Sequence, residues 1–276
     1  MNNQLYVSTG AFIGRANGRS PEGFLSLWRT FPCDGFEFMM YNGWYDELDR
    51  ILSRFRSSGA LFPTFHCDKL IGEGFSDGRC EGREHALALF RENCRAASVL
   101  GSRLLVLHLW NGAPSDFHIG RHIEALADLY TIAREYGLLL TVENVVCANL
   151  DPMTHFDAIL ASYPDAVFTF DTKMAAFHGQ MDEIVSPARR PLWDRIAHVH
   201  LNDYGGGYRD FSGLLVLHLG EGKIDFPPFV SCLRAVGYSG AVTLECTCMN
   251  PDGTLTPDKM NESIRIARTY LSGTPL

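Results

Sequence analysis

The sequence lacks the features that would place it outside the soluble globular enzymes. Its start, MNNQLYVSTG, has no basic segment followed by an apolar core, so no secretory signal is expected and a cytoplasmic location is. No run of about 18 apolar residues occurs, so no helical membrane span is expected. Positive charge is scarce: 24 Lys and Arg stand against 32 Asp and Glu, a formal net charge of −8. General nucleic-acid binding needs clustered Lys and Arg, so it is not expected, although a local basic pocket stays open. No glycine-rich dinucleotide fingerprint follows the first strand-like run. No linker or low-complexity stretch divides the 276 residues, and one domain over 1–276 is expected. The eight cysteines are dispersed, and only Cys246-x-Cys248 forms a close pair. Without a second pair at zinc-site spacing, reduced and buried thiols are expected.

What is present is alternation. Eight strand-like runs read Leu5–Thr9, Gly35–Met39, Leu61–His66, Leu104–Leu109, Leu138–Asn144, Ala166–Asp171, Ile196–Leu201 and Ala241–Glu245. Helical patterns fall between most of them, near Tyr45–Ser57, Arg83–Leu100, Ile119–Tyr136, Met153–Ser162 and Phe226–Val236, and Pro257–Leu271 closes the chain. The stretch AFIGRANGRS reads as a polar, glycine-rich loop, and KLIGEGFSDGRCEG as a long loop. Repeated strand–helix units imply a parallel sheet with helices packed outside. The length suits a single (β/α)8 TIM barrel, which typically takes roughly 250 residues. The fold class expected is therefore α/β, as one such barrel.

The chemistry is concentrated at strand ends. In IAHVHLND, His198 and His200 stand two apart, so a strand turns both toward one face, His200 at the C-terminal end and His198 one layer below. The same spacing recurs in Thr64-x-His66, Thr141-x-Glu143, Thr169-x-Asp171 and Thr243-x-Glu245. Barrel enzymes gather their functional groups at these C-terminal ends. Glu143, Asp171, His200 and Glu245 come from the fifth to eighth strands. Three carboxylates and one imidazole make a hard, oxygen-rich donor set suited to Mn²⁺, Mg²⁺, Co²⁺ or Zn²⁺. The threonines beneath them either supply hydroxyls to the ligands or pack as ordinary β-branched residues.

The stretches GFEF (35–38), TVEN (141–144), FD (170–171), HVHLND (198–203), HLGEGKIDF (218–226) and GYSGAVTLE (237–245) together resemble the xylose isomerase-like TIM-barrel superfamily. That superfamily includes sugar isomerases and epimerases, inosose isomerases and dehydratases, and AP endonucleases of the endonuclease IV type. The resemblance implies that Glu143, Asp171, His200 and Glu245 are metal ligands. It also implies that Glu143 and Glu245 are the acid/base pair of an isomerase or epimerase acting on a small carbohydrate. His66 and His108 stand where the endonucleases place ligands for another metal, bridged by the residue matching Glu143. They would hold a second metal, or touch substrate or metal-bound water.

The departures from the family narrow the function. Many members carry a histidine three residues after the sixth-strand aspartate, where this chain has Met174. The endonucleases carry Asp-x-His before the GEG segment, where this chain reads Leu214-Leu-Val216. The expected function is a divalent-metal-dependent sugar or keto-sugar isomerase/epimerase working through an enediolate. The alternatives are an inosose-type dehydratase, an endonuclease-like metallohydrolase and a non-catalytic sugar-binding module. Substrate-binding candidates are Lys173, Glu37 and Trp110. Lys173 would meet an oxyanion, phosphate or carboxylate, or else point to solvent. Trp110, with Trp44 and Tyr41, would stack on a sugar ring or pack in the core. Glu37 would bond substrate or a neighbouring strand. The glycines of GEG at 220–222 suit a tight turn better than phosphate binding. A homo-oligomer stays open.

Overall fold

The computed structural model describes residues 3–76, 78–111 and 115–272. Asp77, inside the loop expected after the third strand, lies outside them. The elements are, in order, β1 (Leu5–Ser8), α1 (Glu22–Leu27), β2 (Gly35–Met39), α2 (Leu48–Ser58), β3 (Thr64–His66), α3 (Leu70–Glu73), α4 (Cys80–Leu100), β4 (Leu104–Leu107) and α5 (Ile119–Glu135). They continue with β5 (Leu139–Glu143), α6 (Pro152–Ser162), β6 (Val167–Asp171), α7 (Thr172–Phe177), α8 (Met181–Val185), α9 (Arg190–Trp193), β7 (Ile196–Leu201), α10 (Phe226–Val236), β8 (Ala241–Leu244) and α11 (Asp258–Ser272). The strands follow one another in sequence order and close into a parallel barrel. The α/β barrel expected from the alternation is the fold. Among the described residues no helix is long and apolar enough to cross a membrane. All eight cysteines are free thiols.

Contact density divides the chain into two compact units, Met1–Glu37 with Phe170–Leu276, and Phe38–Thr169. In the first, β8 lies between β7 and β1, with His200 opposite Thr243 and Tyr6 opposite Thr243. Its core is aromatic: Phe12, Phe24 and Phe36 meet edge to face, and Phe170 stacks on Phe229. Such pairs add about 0.5–1.5 kcal/mol each beyond the area they bury. The stretch expected as a polar loop after β1 instead buries Ala11, Phe12 and Ile13, which help hold the α1 region against β2. Three short helices, α7 to α9, fill the long β6–β7 connection. The apolar periodicity there is too brief to announce them.

In the second unit, β3, β4, β5 and the start of β6 pair in register, with Val106 opposite Thr141 and Glu143 opposite Thr169. Phe38, Phe55, Phe62 and Phe65 form its main aromatic cluster. Alternate strand residues carry the chemistry: Thr141 Oγ1 donates to the Leu105 carbonyl at 2.7 Å and lies 2.7 Å from Thr169 Oγ1. The strands are shorter than the apolar runs suggest. β3 begins at Thr64, three residues late, and β4 ends at Leu107, so His108 is the first residue beyond it. The long loop after β3 contains α3, and α4 begins at Cys80, three residues before the expected start.

Asp203, the last residue of the HVHLND stretch, organises the GEG segment. Its carboxylate accepts the backbone N–H groups of Tyr204, Gly220, Gly222 and Ile224 at 2.8–3.2 Å. A Cβ on Gly222 would come within 2.2 Å of Asp203 Oδ1. The glycine is there for close approach to that carboxylate. Gly220 turns the chain at φ 87°, a left-handed conformation that glycine adopts without strain. Asp203→Ala should therefore destabilise the fold by roughly 1–3 kcal/mol for each amide left without an acceptor or water. Urea denaturation checks this; a change below about 0.5 kcal/mol would show the loop to be held by other contacts.

Candidate functional site

In the first unit, β6 ends in Asp171, whose Oδ1 caps α7 by accepting the Met174 N–H at 2.8 Å. That bond fixes the carboxylate at the strand's end and leaves Oδ2 facing Asn202, whose side-chain amide donates to it at 2.5 Å. The same amide donates to Glu245 Oε2 at 3.2 Å. Asn202 thus spans two of the expected ligands. It stands in the HVHLND stretch two residues past His200, continuing the alternation one residue beyond β7, and it was not among the expected site residues.

His200 completes this group. Its Nδ1 lies 3.5 Å from Glu245 Oε1 and 4.0 Å from Asp171 Oδ2, too far for hydrogen bonds. Its Nε2 lies 3.1 and 3.3 Å from the two oxygens of Glu37. A carboxylate accepts only, so Nε2 carries the proton toward Glu37 and Nδ1 presents its lone pair to the Asp171–Glu245 side. Donor atoms each about 2.1 Å from one cation stand ~3–4 Å apart, and His200 Nδ1 has that separation from both carboxylates. The donor set and the tautomer both fit a divalent metal. His198 sits one layer below, its Nε2 2.8 Å from Thr243 Oγ1 and its Nδ1 3.6 Å from Glu37 Oε2. His198, His200, Glu37 and Asp171 are fully buried, whereas the Glu245 side chain retains 15% exposure. Glu245 is the ligand candidate with access to an incoming molecule.

In the second unit, His66 and His108 converge on Glu143. His108 Nε2 lies 2.7 Å from Glu143 Oε2 and His66 Nε2 3.3 Å from the same oxygen, the two rings edge to face. Burial holds the His108 imidazole down to about 4 despite the neighbouring Glu143 charge, so it is neutral near pH 7. His66 Nδ1 lies 2.9 Å from the Cys67 carbonyl, which can only accept, so Nδ1 carries a proton. A neutral His66 then turns an Nε2 lone pair toward a carboxylate oxygen. That contact is unfavourable unless a proton or a cation lies between them.

The remaining expected residues are placed as follows. Glu37 lies against His198 and His200. Trp110 is fully buried, its Nε1 donating to the Val145 carbonyl at 3.3 Å and its ring edge to face with His155. Lys173, in the first turn of α7, is only 8% exposed. A further buried cluster, Asp116 with His155, is a loop anchor: Asp116 accepts the N–H groups of Ala148, Asn149 and Leu150 at 2.8–3.2 Å, and His155 Nε2 lies 3.3 Å away.

Residues 26–270 match the family model described as a xylose isomerase-like TIM barrel. The chain belongs to that family. Among curated proteins it is 26% identical over 182 residues to the uncharacterized protein MJ1311 of Methanocaldococcus jannaschii, a match spanning 59% of this chain and 57% of the relative. It is 24% identical over 206 residues to MJ1614 of the same organism, covering 73% of this chain and 77% of that protein. Among solved structures it superposes on a D-allulose 3-epimerase from Methylomonas sp. with a TM-score of 0.73, at 16% identity and 98% coverage of each chain. A structure of the IolI protein with a bound zinc atom gives a TM-score of 0.70 at 17% identity, covering 98% of this chain and 97% of that one. At such identities these two structures establish a shared fold.

Proposed function

We propose that this family member is a divalent-metal-dependent isomerase or epimerase of a sugar or keto-sugar, with the whole chain acting as one catalytic domain. Glu143, Asp171, His200 and Glu245 are its metal ligands, and Glu143 and Glu245 its acid/base pair. The observation that carries the reading is the His200 arrangement: Glu37 takes one ring nitrogen, and the other faces Asp171 and Glu245 at 3.5–4.0 Å. Support also comes from solved structures of the same fold, among them D-allulose, L-ribulose and 3-keto-D-glucoside epimerases. The lone pair that His66 turns toward Glu143 supports a bound proton or second cation there, and His66 and His108 otherwise contact substrate.

When bound, a divalent cation polarises the substrate carbonyl and stabilises the negative charge that develops on its oxygen. One of Glu143 and Glu245 then takes the proton from the carbon beside the carbonyl, and the other returns a proton. Return to the neighbouring carbon is isomerisation; return to the opposite face is epimerisation. Asn202 holds Asp171 and Glu245 in place through its two amide bonds. Glu37 keeps His200 in the tautomer that presents Nδ1. The apolar Leu214 and Val216 stand where the endonucleases carry Asp-x-His, which weighs against phosphodiester cleavage.

The test is incubation of metal-replete protein with ketoses, inososes and their phosphates in D₂O. Deuterium uptake at the carbon beside the carbonyl, with product mass otherwise conserved, is the expected result. Loss of water from the product would make it a dehydratase. Metal binding without uptake from any compound in the panel would leave a sugar-binding module.

A further inference from the structure

We propose that the substrate carries an anionic group, a phosphate or a carboxylate, and that Lys173 binds it; this deepens the isomerase/epimerase reading and rests on it. Lys173 follows Asp171 by two residues and is 8% exposed. Among the described residues no carboxylate lies within ion-pair distance of its ammonium, and its side chain makes no hydrogen bond. A buried cation is ordinarily paired, because desolvating an unpaired charge is costly. The ammonium is not among the fully sealed polar atoms, so the stem is buried while the tip keeps an opening.

Its neighbours fix its backbone beside the site. Asp171 caps the helix on one side of Lys173 through the Met174 N–H. On the other, Thr172 Oγ1 donates to the Asn202 carbonyl at 2.6 Å and accepts the Asn202 N–H at 2.9 Å. The backbone that carries Lys173 is therefore locked to the residue whose side chain spans Asp171 and Glu245. A lysine serving only to neutralise the carboxylates would sit within salt-bridge reach of Asp171 or Glu245. This one does not, so its partner is a group that arrives from outside. An ammonium is a compact point charge that suits a single phosphate or carboxylate oxygen.

The experiment compares wild type, Lys173→Met and Lys173→Arg with D-fructose, D-fructose 6-phosphate and D-fructuronate. Calorimetry gives each dissociation constant, and deuterium uptake in D₂O gives each exchange rate. Wild type should bind at least one anionic sugar more tightly than fructose. Lys173→Met should weaken that anion by about ten- to a hundred-and-fifty-fold, the loss of one charge-assisted hydrogen bond, while fructose changes far less. Lys173→Arg should keep part of the preference. Preference for the phosphate identifies a sugar phosphate, and preference for fructuronate a sugar acid. Equal wild-type affinity for fructose and both anions overturns the inference, as does an equal loss of all three in Lys173→Met. Thermal melting shows whether Lys173→Met folds; if it does not, the wild-type preference and Lys173→Arg decide. Uptake from fructose without any anion preference leaves the isomerase reading standing and removes this one. Selective anion binding without uptake from any sugar does the reverse.

Discussion

Glu143→Gln and Glu245→Gln are each expected to lower turnover by about 10²–10⁴-fold at saturating metal, the usual contribution of a positioned general acid or base. Gln keeps one carbonyl oxygen for coordination, so each variant should still bind metal, with weaker affinity than the carboxylate. The two losses should differ in kind. Started from one substrate, the variant lacking the base should lose deuterium exchange as well as turnover. The variant lacking only the returning acid should still exchange its first proton through the remaining glutamate. Started from product, the acid and base exchange roles, and the pattern should reverse. The environments of the two residues fit distinct duties. Glu143 is enclosed with a neutral His108 ring nitrogen 2.7 Å from its carboxylate, whereas Glu245 is partly open and held by Asn202. Near-full turnover in both metal-loaded variants would rule out the two-glutamate mechanism and send the proton through His66, His108 or Lys173.

The fold was legible because barrel strands impose a regular pattern. The unbroken apolar run LLVL at 104–107 fits a strand buried on both faces, while the Thr-x-ligand spacing at 141–143 and 169–171 and the pair His198-x-His200 fit a period of two. Periodicity could not show the helices α3 and α7 to α9, which are four to six residues long and present too few turns to display a stripe. Nor could it show Asp116, the role of Asp203, or that Asn202, which continues the spacing of His198 and His200, spans two carboxylates, since their partners are backbone amides or residues distant in the sequence. The loop reading of GEG stood on glycine's turn preference. The structure adds the close approach of Gly222 to Asp203, a reason no local pattern contains. Lys173 shows the same limit. A charged residue just past a strand reads as solvated, and only the packing of α7 shows it to be enclosed.

Metal affinity should depend on Glu37 almost as strongly as on the ligands, although Glu37 touches the proposed metal only through His200. Outer partners of ligating histidines typically contribute 10–100-fold in affinity. Both Glu37 oxygens lie within 3.3 Å of His200 Nε2, so the carboxylate fixes the ring's tautomer and raises the basicity of Nδ1. Glu37→Gln keeps an acceptor for the Nε2 proton and removes only the charge, so a loss of about tenfold is expected. Glu37→Ala removes both effects and should approach a hundredfold. His200→Ala deletes a ligand and should weaken binding more than either. His198→Ala should scarcely alter affinity, since His198 bonds Thr243 and lies 3.6 Å from Glu37, but it should lower the melting temperature by opening a cavity in a fully buried layer. Chelator competition with Mn²⁺ or Zn²⁺ measures all four variants without reference to activity. If His198→Ala and His200→Ala lose metal equally, the two layers of β7 do not have separate duties. If Glu37→Ala binds metal as wild type does, then Asp171 and Glu245 alone set the position of the His200 ring, and Glu37 is a packing partner of the two histidines.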